Sequence, residues 1–281
     1  MESEPLGLNN LIVVSDLHAG CRFGLCPPEP QILDGNNPVY ASPLQNKVWQ
    51  WWKEFWNEWV PTVTRHEPYA VLINGDSMDG VHHGNTTQFS QNLTDQKRIA
   101  ERILEPIIEK CKGKFYMIRG TEAHVGKSGT NEEDLAKALG AIPDEEGNYA
   151  RWEMWIEIGS GLVHAIHHIG TTGSLAYETT ALSKEYTEAC SDAGRWERQA
   201  PNIIVRSHRH RLAETRVPTE KGYGICVVTP GWQLKTPLVY RIAGGRLTTP
   251  QFGGVLIRAG NEELYTRHKV WSISRTPSVR L

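Results

Sequence analysis

The sequence predicts a layered α/β protein, and three patterns say so. Short unbroken apolar runs, Leu11–Val14, Tyr69–Ile73 and Phe115–Ile118, have the length of buried strands and no polar alternation. Longer stretches with helical spacing lie between and after them, giving the order β-α-β-α-β-α. In the second half, alternation from Trp152 to Ile158, the turn Gly159-Ser160-Gly161 and a return through Leu162–His168 mark a hairpin.

Each element has its own signature. Residues 19–43 are rich in Gly, Pro and Asn and read as a long surface loop. Leu44 to Val60 reads as a helix whose stripe is Val48, Trp52, Phe55, Trp56 and Trp59, closed by Pro61. Such a stripe is a core face or a subunit contact, so an oligomer through helix 44–60 is one expectation; base stacking is the lesser one. Leu93 to Cys111 is a second amphipathic helix, with Ile99, Ile103, Ile107 and Cys111 on one side and Pro106 as a kink. Thr130-Asn-Glu-Glu133 reads as a capping box before Leu135–Leu139, with Gly140 as the stop. Ala176 to Trp196 is a third long helix. Ile203–Val205 is a strand, followed by short alternating strands up to Trp271 and a tail over 272–281. No repeat and no Pro/Ser-rich linker interrupts the chain, which is read as one domain over 1–281.

Composition narrows the function classes. The chain has 281 residues, 39% of them apolar and 22% charged, as in an ordinary globular protein. A net charge of -2 argues against a nonspecific grip on nucleic acid as its main task. The acidic N-terminus has no apolar signal region, and no run reaches the roughly 18 apolar residues of a membrane span. The five scattered cysteines read as reduced thiols. Together these predict a cytoplasmic protein with no membrane partner, in the host cytoplasm if a phage encodes it.

The chemistry sits where strands end. Asp16-Leu17-His18 follows the first apolar run, and nothing in strand packing requires an aspartate and a histidine there. A metal does, because alternate positions of an extended segment can present both to one cation. Four later segments repeat the theme: Gly75-Asp76-Ser77-Met78-Asp79, Gly120-Thr121-Glu122-Ala123-His124, His167-His168 and His208-Arg209-His210. Open α/β sheets gather such strand ends at one edge. Mixed carboxylate and imidazole donors suit Zn, Mn, Fe or Ni better than Ca or Mg, and they outnumber the needs of one ion, which predicts two divalent transition metals.

This ordered set resembles the calcineurin-like metallophosphoesterase superfamily, over about residues 11 to 212, and the Gly-Thr-x-x-His turn resembles its phage-type members. The resemblance implies a four-layer α/β/β/α sandwich of two mixed sheets flanked by helices. It implies Asp16, His18 and His210 on the first metal, Asp76 as the bridge, and His208 with His167 on the second, His168 being the alternative to His167. Asp79 would orient its turn, and His164 would be structural. The third motif departs from the family's pattern: Thr121 holds the place of the usual Asn, Glu122 is the chemically stronger ligand, and His124 is the histidine that would stabilise or protonate the leaving oxygen near neutral pH. His82, His83, Arg119 and Arg209 could contact the phosphoryl group.

The implied reaction is hydrolysis of a phosphate ester by a metal-bridging hydroxide. The substrate expected is a phosphodiester, a nucleotide or nucleic acid, on the strength of the third motif, the 19–43 loop and the tryptophan-rich helix. A phosphomonoesterase, including a protein Ser/Thr phosphatase, is the alternative within this chemistry. A non-catalytic binding scaffold is the alternative outside it.

Overall fold

The computed structural model describes residues 7–82, 84–170, 175–220, 222–241, 248–261, 263–274 and 278–280. Strand β1 (Asn10–Val14) leads through a small ribbon of β2 (Gln31–Ile32) and β3 (Pro38–Val39) to helix α1 (Pro43–Glu54). A π-turn at Phe55–Trp59, α2 (Val60–Val63), β4 (Ala70–Asn74), α3 (Leu93–Lys110) and β5 (Phe115–Ile118) follow. Next come α4 (Glu122–Val125), α5 (Thr130–Ala138), β6 (Ala150–Arg151), and the hairpin of β7 (Met154–Ile158) and β8 (Gly161–Ala165). The chain ends with α6 (Glu178–Arg195), β9 (Ile203–Arg206), β10 (Ala213–Thr219), β11 (Gly222–Val228), β12 (Gln251–Ala259) and β13 (Leu264–Ser272).

Two mixed sheets result. One has the order β13-β12-β1-β4-β5-β6 and the other β10-β11-β9-β8-β7. Strands β1, β4, β5 and β6 are parallel, as are β11, β9 and β8; antiparallel strands flank β1 in the first sheet and both sides of the parallel set in the second. The period-2 alternation of strand side chains sorts the core into layers. Ile12 and Val14 of β1 pack with Ile73, Phe115 and the helices α1, α3 and α5, while Leu11 and Val13 face Val163, Ile203, Val205 and Val227 of the second sheet. The outer face of that sheet, Ile204, Cys226 and Val228, is covered by Leu182 and Tyr186 of α6. The order is helices, sheet, sheet, helix, the four-layer sandwich expected.

The structure corrects several local expectations. Pro61 does not end the first helix, which runs on to Val63. A proline has no N–H to give and crowds the carbonyl four residues back. The preceding π-turn, in which Val60 N–H bonds to Phe55 O, gives the chain a wider turn in which to take it. Residues 19–26 of the expected surface loop are mostly buried, because they run beside the chain after β4: Ala19 N–H bonds to Ser77 O at 2.9 Å and Asp79 N–H to Ala19 O at 3.0 Å. The capping box at Thr130 is absent; Gly129 caps α5, and the Glu133 carboxylate accepts from Tyr149 N and Ala150 N instead. The short terminal strands are two strands of nine residues, and β12 lies beside β1. The stripe Val48, Trp52, Phe55 and Trp56 is buried in the chain's own core, with Trp59 partly buried against it, which is the core face the spacing predicts. Trp52 meets Trp232 edge-on at 4.8 Å, which ties this helix to the segment beneath the site.

Candidate metal centre

Because the inner strands of both sheets are parallel, their carboxyl ends open on one edge. There the register sets Val14 beside Ile73, Asn74 beside Ile118, and Ala165 beside Val205. One or two residues later the backbone turns sharply. Asp16, His18, Asp76, His208 and His210 have φ from 47 to 72°, which makes them five of the ten non-glycine residues with positive φ among those described. L-residues pay for that conformation, and clusters of it gather where surrounding structure holds a functional geometry. Here the hold is backbone hydrogen bonding: Asp16 N–H to Gly75 O, His18 N–H to Asp76 O and Trp232 N–H to Asp16 O, at 2.9–3.0 Å. The turns approach so closely that a Cβ on Gly120 would strike the Asp76 carboxylate, and one on Gly75 the His167 ring.

Three donor sets form among the described residues, one of them, His18, Asp79 and His124, sharing His18 with the first of the two that follow. Asp16, His18 and His210 are the first: His210 Nε2 lies 3.2 Å from Asp16 Oδ1 and 3.2 Å from His18 Nε2. Asp76, His167 and His208 are the second, with His167 Nε2 at 3.0 Å and His208 Nδ1 at 4.0 Å from Asp76 Oδ2. His167 Nε2 is also 4.0 Å from Asp16 Oδ1, so the two sets adjoin. Asp16 Oδ1 and His167 Nε2 are buried without hydrogen-bond geometry to any partner. Buried polar atoms left this way cost free energy, and a cation among them removes the deficit. The donors therefore fit divalent metal ions.

The remaining atoms of these side chains are fixed from behind, as ligand geometry requires. His167 Nδ1 is 2.6 Å from Asn74 O and must carry its hydrogen there, leaving Nε2 to face the site. Asp79 Oδ1 is 3.3 Å from His18 Nδ1, and Asp79 itself accepts from Gln88 Nε2 and Gln233 Nε2. Ser15 Oγ–H donates to Asp16 Oδ2 at 2.6 Å, and Ser15, Thr229, Ser207 and Asn74 make a continuous hydrogen-bonded row below. Thr121 N–H donates to Asp76 Oδ1 at 2.8 Å, with its hydroxyl at 3.2 Å.

Charge follows from this crowding. Burial alone would raise the three aspartate pKa values, but the imidazoles hold them below the carboxylate range: His210 and His167 for Asp16, His167 and His124 for Asp76, His18 and His82 for Asp79. Burial would likewise disfavour charge on His167, yet Asp76 and Asp16 raise it to about 10. In the metal-free chain, then, a proton on His167 stands in for a cation. Its folded pKa exceeds the ordinary 6.5, so its stabilising effect is full below about 6.5 and is lost as pH rises through about 10. Metal must displace that proton. At pH 8 binding is expected to release about one proton from His167, with affinity rising about tenfold per pH unit from 7 to 9. Calorimetry in buffers of different ionisation heat measures this, and a pH-independent affinity would contradict it.

Other sequence expectations fare differently. Of the paired histidines, His167 joins a donor set; His168 is exposed, its ring 4.9 Å from that of His208. Glu122 does not take the Asn place. It begins α4 with its side chain exposed, and joins no donor set among the described residues, while Thr121 at the helix cap reaches Asp76. Arg119 is not turned to the site: it pairs with Glu133 at 3.1 Å and lies over the Trp152 ring. Arg209 lines the cleft above the site but donates to Gly170 O. His82 also lines the cleft, 3.6 Å from Asp79 Oδ2 and ring-to-ring 4.5 Å from His124. His83 lies outside the described residues. His164 is held by Glu153 and stacked on Trp155, a structural position. His124 lines the cleft, its Nδ1 2.5 Å from Asp79 O and its Nε2 3.9 Å from Asp76 Oδ2. Burial pushes its pKa down to about 4, outweighing Asp76, so the free ring is neutral at pH 7 rather than poised near it.

Sequence reading missed Glu132. It is buried, and its two oxygens accept from Ser77 N and Gly120 N, each at 2.6 Å. It also missed Thr229 and Gly231, although they follow β11 just as the donors follow their strands.

No protein family and no curated protein matches the sequence. Among solved structures, vacuolar protein sorting 29 from Cryptosporidium parvum aligns at 12% identity over 94% of this chain and 98% of its own, with a TM-score of 0.36. The Thermotoga maritima protein TM1076 aligns at 10% identity over 94% and 100%, with 0.39. The sulfate thiohydrolase SoxB of Thermus thermophilus, in complex with glycerol, aligns at 14% identity over 97% of this chain and 58% of its own, with 0.43. At these scores the likeness carries no weight for the chemistry, which rests on the chain's own side chains. Among the described residues no helix is long and apolar enough to cross a membrane.

Proposed function

We propose that this chain is a metal-dependent phosphoric ester hydrolase using two divalent transition metal ions. The observation that supports this most is the pair of adjoining Asp/His sets, with Asp16 Oδ1 and His167 Nε2 buried without hydrogen-bond geometry at the floor of a cleft. Asp16, His18 and His210 would hold one ion and Asp76, His167 and His208 the other. Ions bound there would supply Lewis acidity toward a phosphoryl oxygen and lower the pKa of a water molecule. His208 and His210 are the more exposed donors, so the substrate enters from their side. His124 serves the leaving group. Its Nδ1–H is held on the Asp79 carbonyl, which aims Nε2 at the cleft. An anionic ester beside it raises its proton affinity, and Nε2–H then donates to the departing oxygen.

The sequence-based preference for diesters loses one of its three supports and part of another, since the tryptophan helix is core and residues 19–27 of the 19–43 loop are mostly buried. The reading is therefore the phosphoesterase itself. p-Nitrophenyl phosphate and bis(p-nitrophenyl) phosphate, assayed with Mn, Zn or Ni on chain shown to hold metal, test it; no turnover of either overturns it. His124→Ala is expected to lower turnover of an alkyl ester about a hundredfold or more, to lower that of a p-nitrophenyl ester much less, and to leave metal content unchanged. Equal losses for the two leaving groups would rule out the acid role.

A further inference from the structure

The donor sets form the floor of a cleft of about 480 Å³, within the roughly 300–1,000 Å³ of small-ligand sites. The cleft continues away from His124 and His210 toward residues 233–239 and 248–250. Its far wall presents three apolar side chains among Thr236, Thr248 and Thr249: Leu234 is buried, Leu238 is 40% exposed and Val239 half-buried. This wall is anchored to the site. Gln233 Nε2 donates to Asp79 Oδ1 at 3.3 Å, Leu234 N–H bonds to Phe23 O at 2.7 Å, and Val239 N–H bonds to Thr236 O at 3.1 Å.

The cations along the cleft are committed elsewhere. Arg209 donates to Gly170 O, and Arg211 Nε donates to Glu178 Oε1 at 2.7 Å. Lys235 Nζ bonds to Thr248 O at 3.1 Å and lies 4.2 Å over the Tyr240 ring. A polynucleotide needs a run of available positive charge to follow its backbone. Along this cleft the described residues offer Arg209 and Lys235 as separate charges, with Arg211 neutralised by Glu178, and not a continuous run.

We propose that Leu234, Leu238 and Val239 form a shelf for the leaving group of a compact phosphate ester, so that the substrate is a small molecule with one apolar or flat ring system beside its phosphoryl group. This rests on the phosphoesterase reading and goes further by choosing the substrate class. Phosphonates separate the two, because they bind without being hydrolysed.

On manganese-loaded full-length chain, calorimetry is expected to show 1-naphthylphosphonate binding about tenfold more tightly than phenylphosphonate, the order expected for one further buried ring. In Leu238→Asp and Leu238→Ala that advantage shrinks to less than about threefold, while metal content stays unchanged. Equal affinities in the wild type, or an advantage that survives both substitutions, would overturn the shelf. So would a thymidine decanucleotide that displaces naphthylphosphonate with a steep salt dependence. If the preference is found but no phosphate ester is turned over, the shelf stands and the hydrolase reading fails. If esters are turned over without the preference, the shelf alone fails.

Discussion

Asp76→Asn is expected to lower phosphate-ester turnover about ten-thousandfold, or about 5 kcal/mol of barrier, and to leave the chain holding at most one tightly bound metal. The reason is the number of partners this one carboxylate serves. Oδ2 lies 3.0 Å from His167 Nε2, 3.9 Å from His124 Nε2 and 4.0 Å from His208 Nδ1, while Oδ1 takes the Thr121 amide. An asparagine keeps the volume and can still accept from Thr121, so the turn should persist. What it removes is the charge, together with the oxygen that faces the imidazoles. His167 supplies an independent readout. Burial lowers its pKa, and Asp76 is first among the groups that raise it to about 10. Without that carboxylate the burial effect gains ground, and NMR titration of metal-free Asp76→Asn should show His167 losing its proton well below pH 10. Two bound metals, with turnover within tenfold of wild type, would dismiss Asp76 as a ligand.

The donor atoms of this site were legible because each lies within five residues after a buried apolar run, and parallel strands bring such ends together whatever lies between them. Asp16, His18, Asp76, His167, His208 and His210 all follow that rule. The four layers were legible for a similar reason, since β1 and β4 are too apolar to face water on either side. What stayed hidden depends on contacts far apart in sequence. β12 is as buried as β1, yet nothing local says that it pairs with β1 across some 240 residues. Glu122 and Glu132 show the same limit at one residue's scale. Glu122 is the better ligand by chemistry, but the cap of α4 turns it to solvent; Glu132 looked like an ordinary residue of a helix start, and its helix carries it under the site. The tryptophans of α1 were legible as a core face. Their spacing marks an apolar face correctly, but not what covers it, which is Trp232 and the first sheet.

Glu132→Ala is expected to cost about 2–5 kcal/mol of stability and about 10- to 100-fold in metal affinity. Its carboxylate is the only group that joins Ser77 N, beside Asp76, to Gly120 N, beside Thr121, among the described hydrogen bonds. Removing it leaves two buried N–H groups without acceptors at the place where the β4 and β5 turns must meet. Glu132→Gln should cost about 1–3 kcal/mol, since one amide oxygen can serve only one of the two donors and the NH₂ then faces the other. Glu132→Asp is shorter by a methylene, cannot span both turns, and should resemble Ala more than Gln. The pH profile adds a signature. Burial, and then Asp76, raise the Glu132 pKa to about 7 against an ordinary 4.5. With the folded value the higher, its stabilising contribution is full below about 4.5 and is lost as pH rises through about 7. Metal-free wild type should therefore lose stability across that window in chemical denaturation, and Glu132→Gln, which has no proton to lose, should not. A residue that served the fold alone would lower stability and leave metal affinity at its wild-type value once the variant was folded; a residue that holds two halves of a metal site together must lower both, and must lower affinity less in Gln than in Ala.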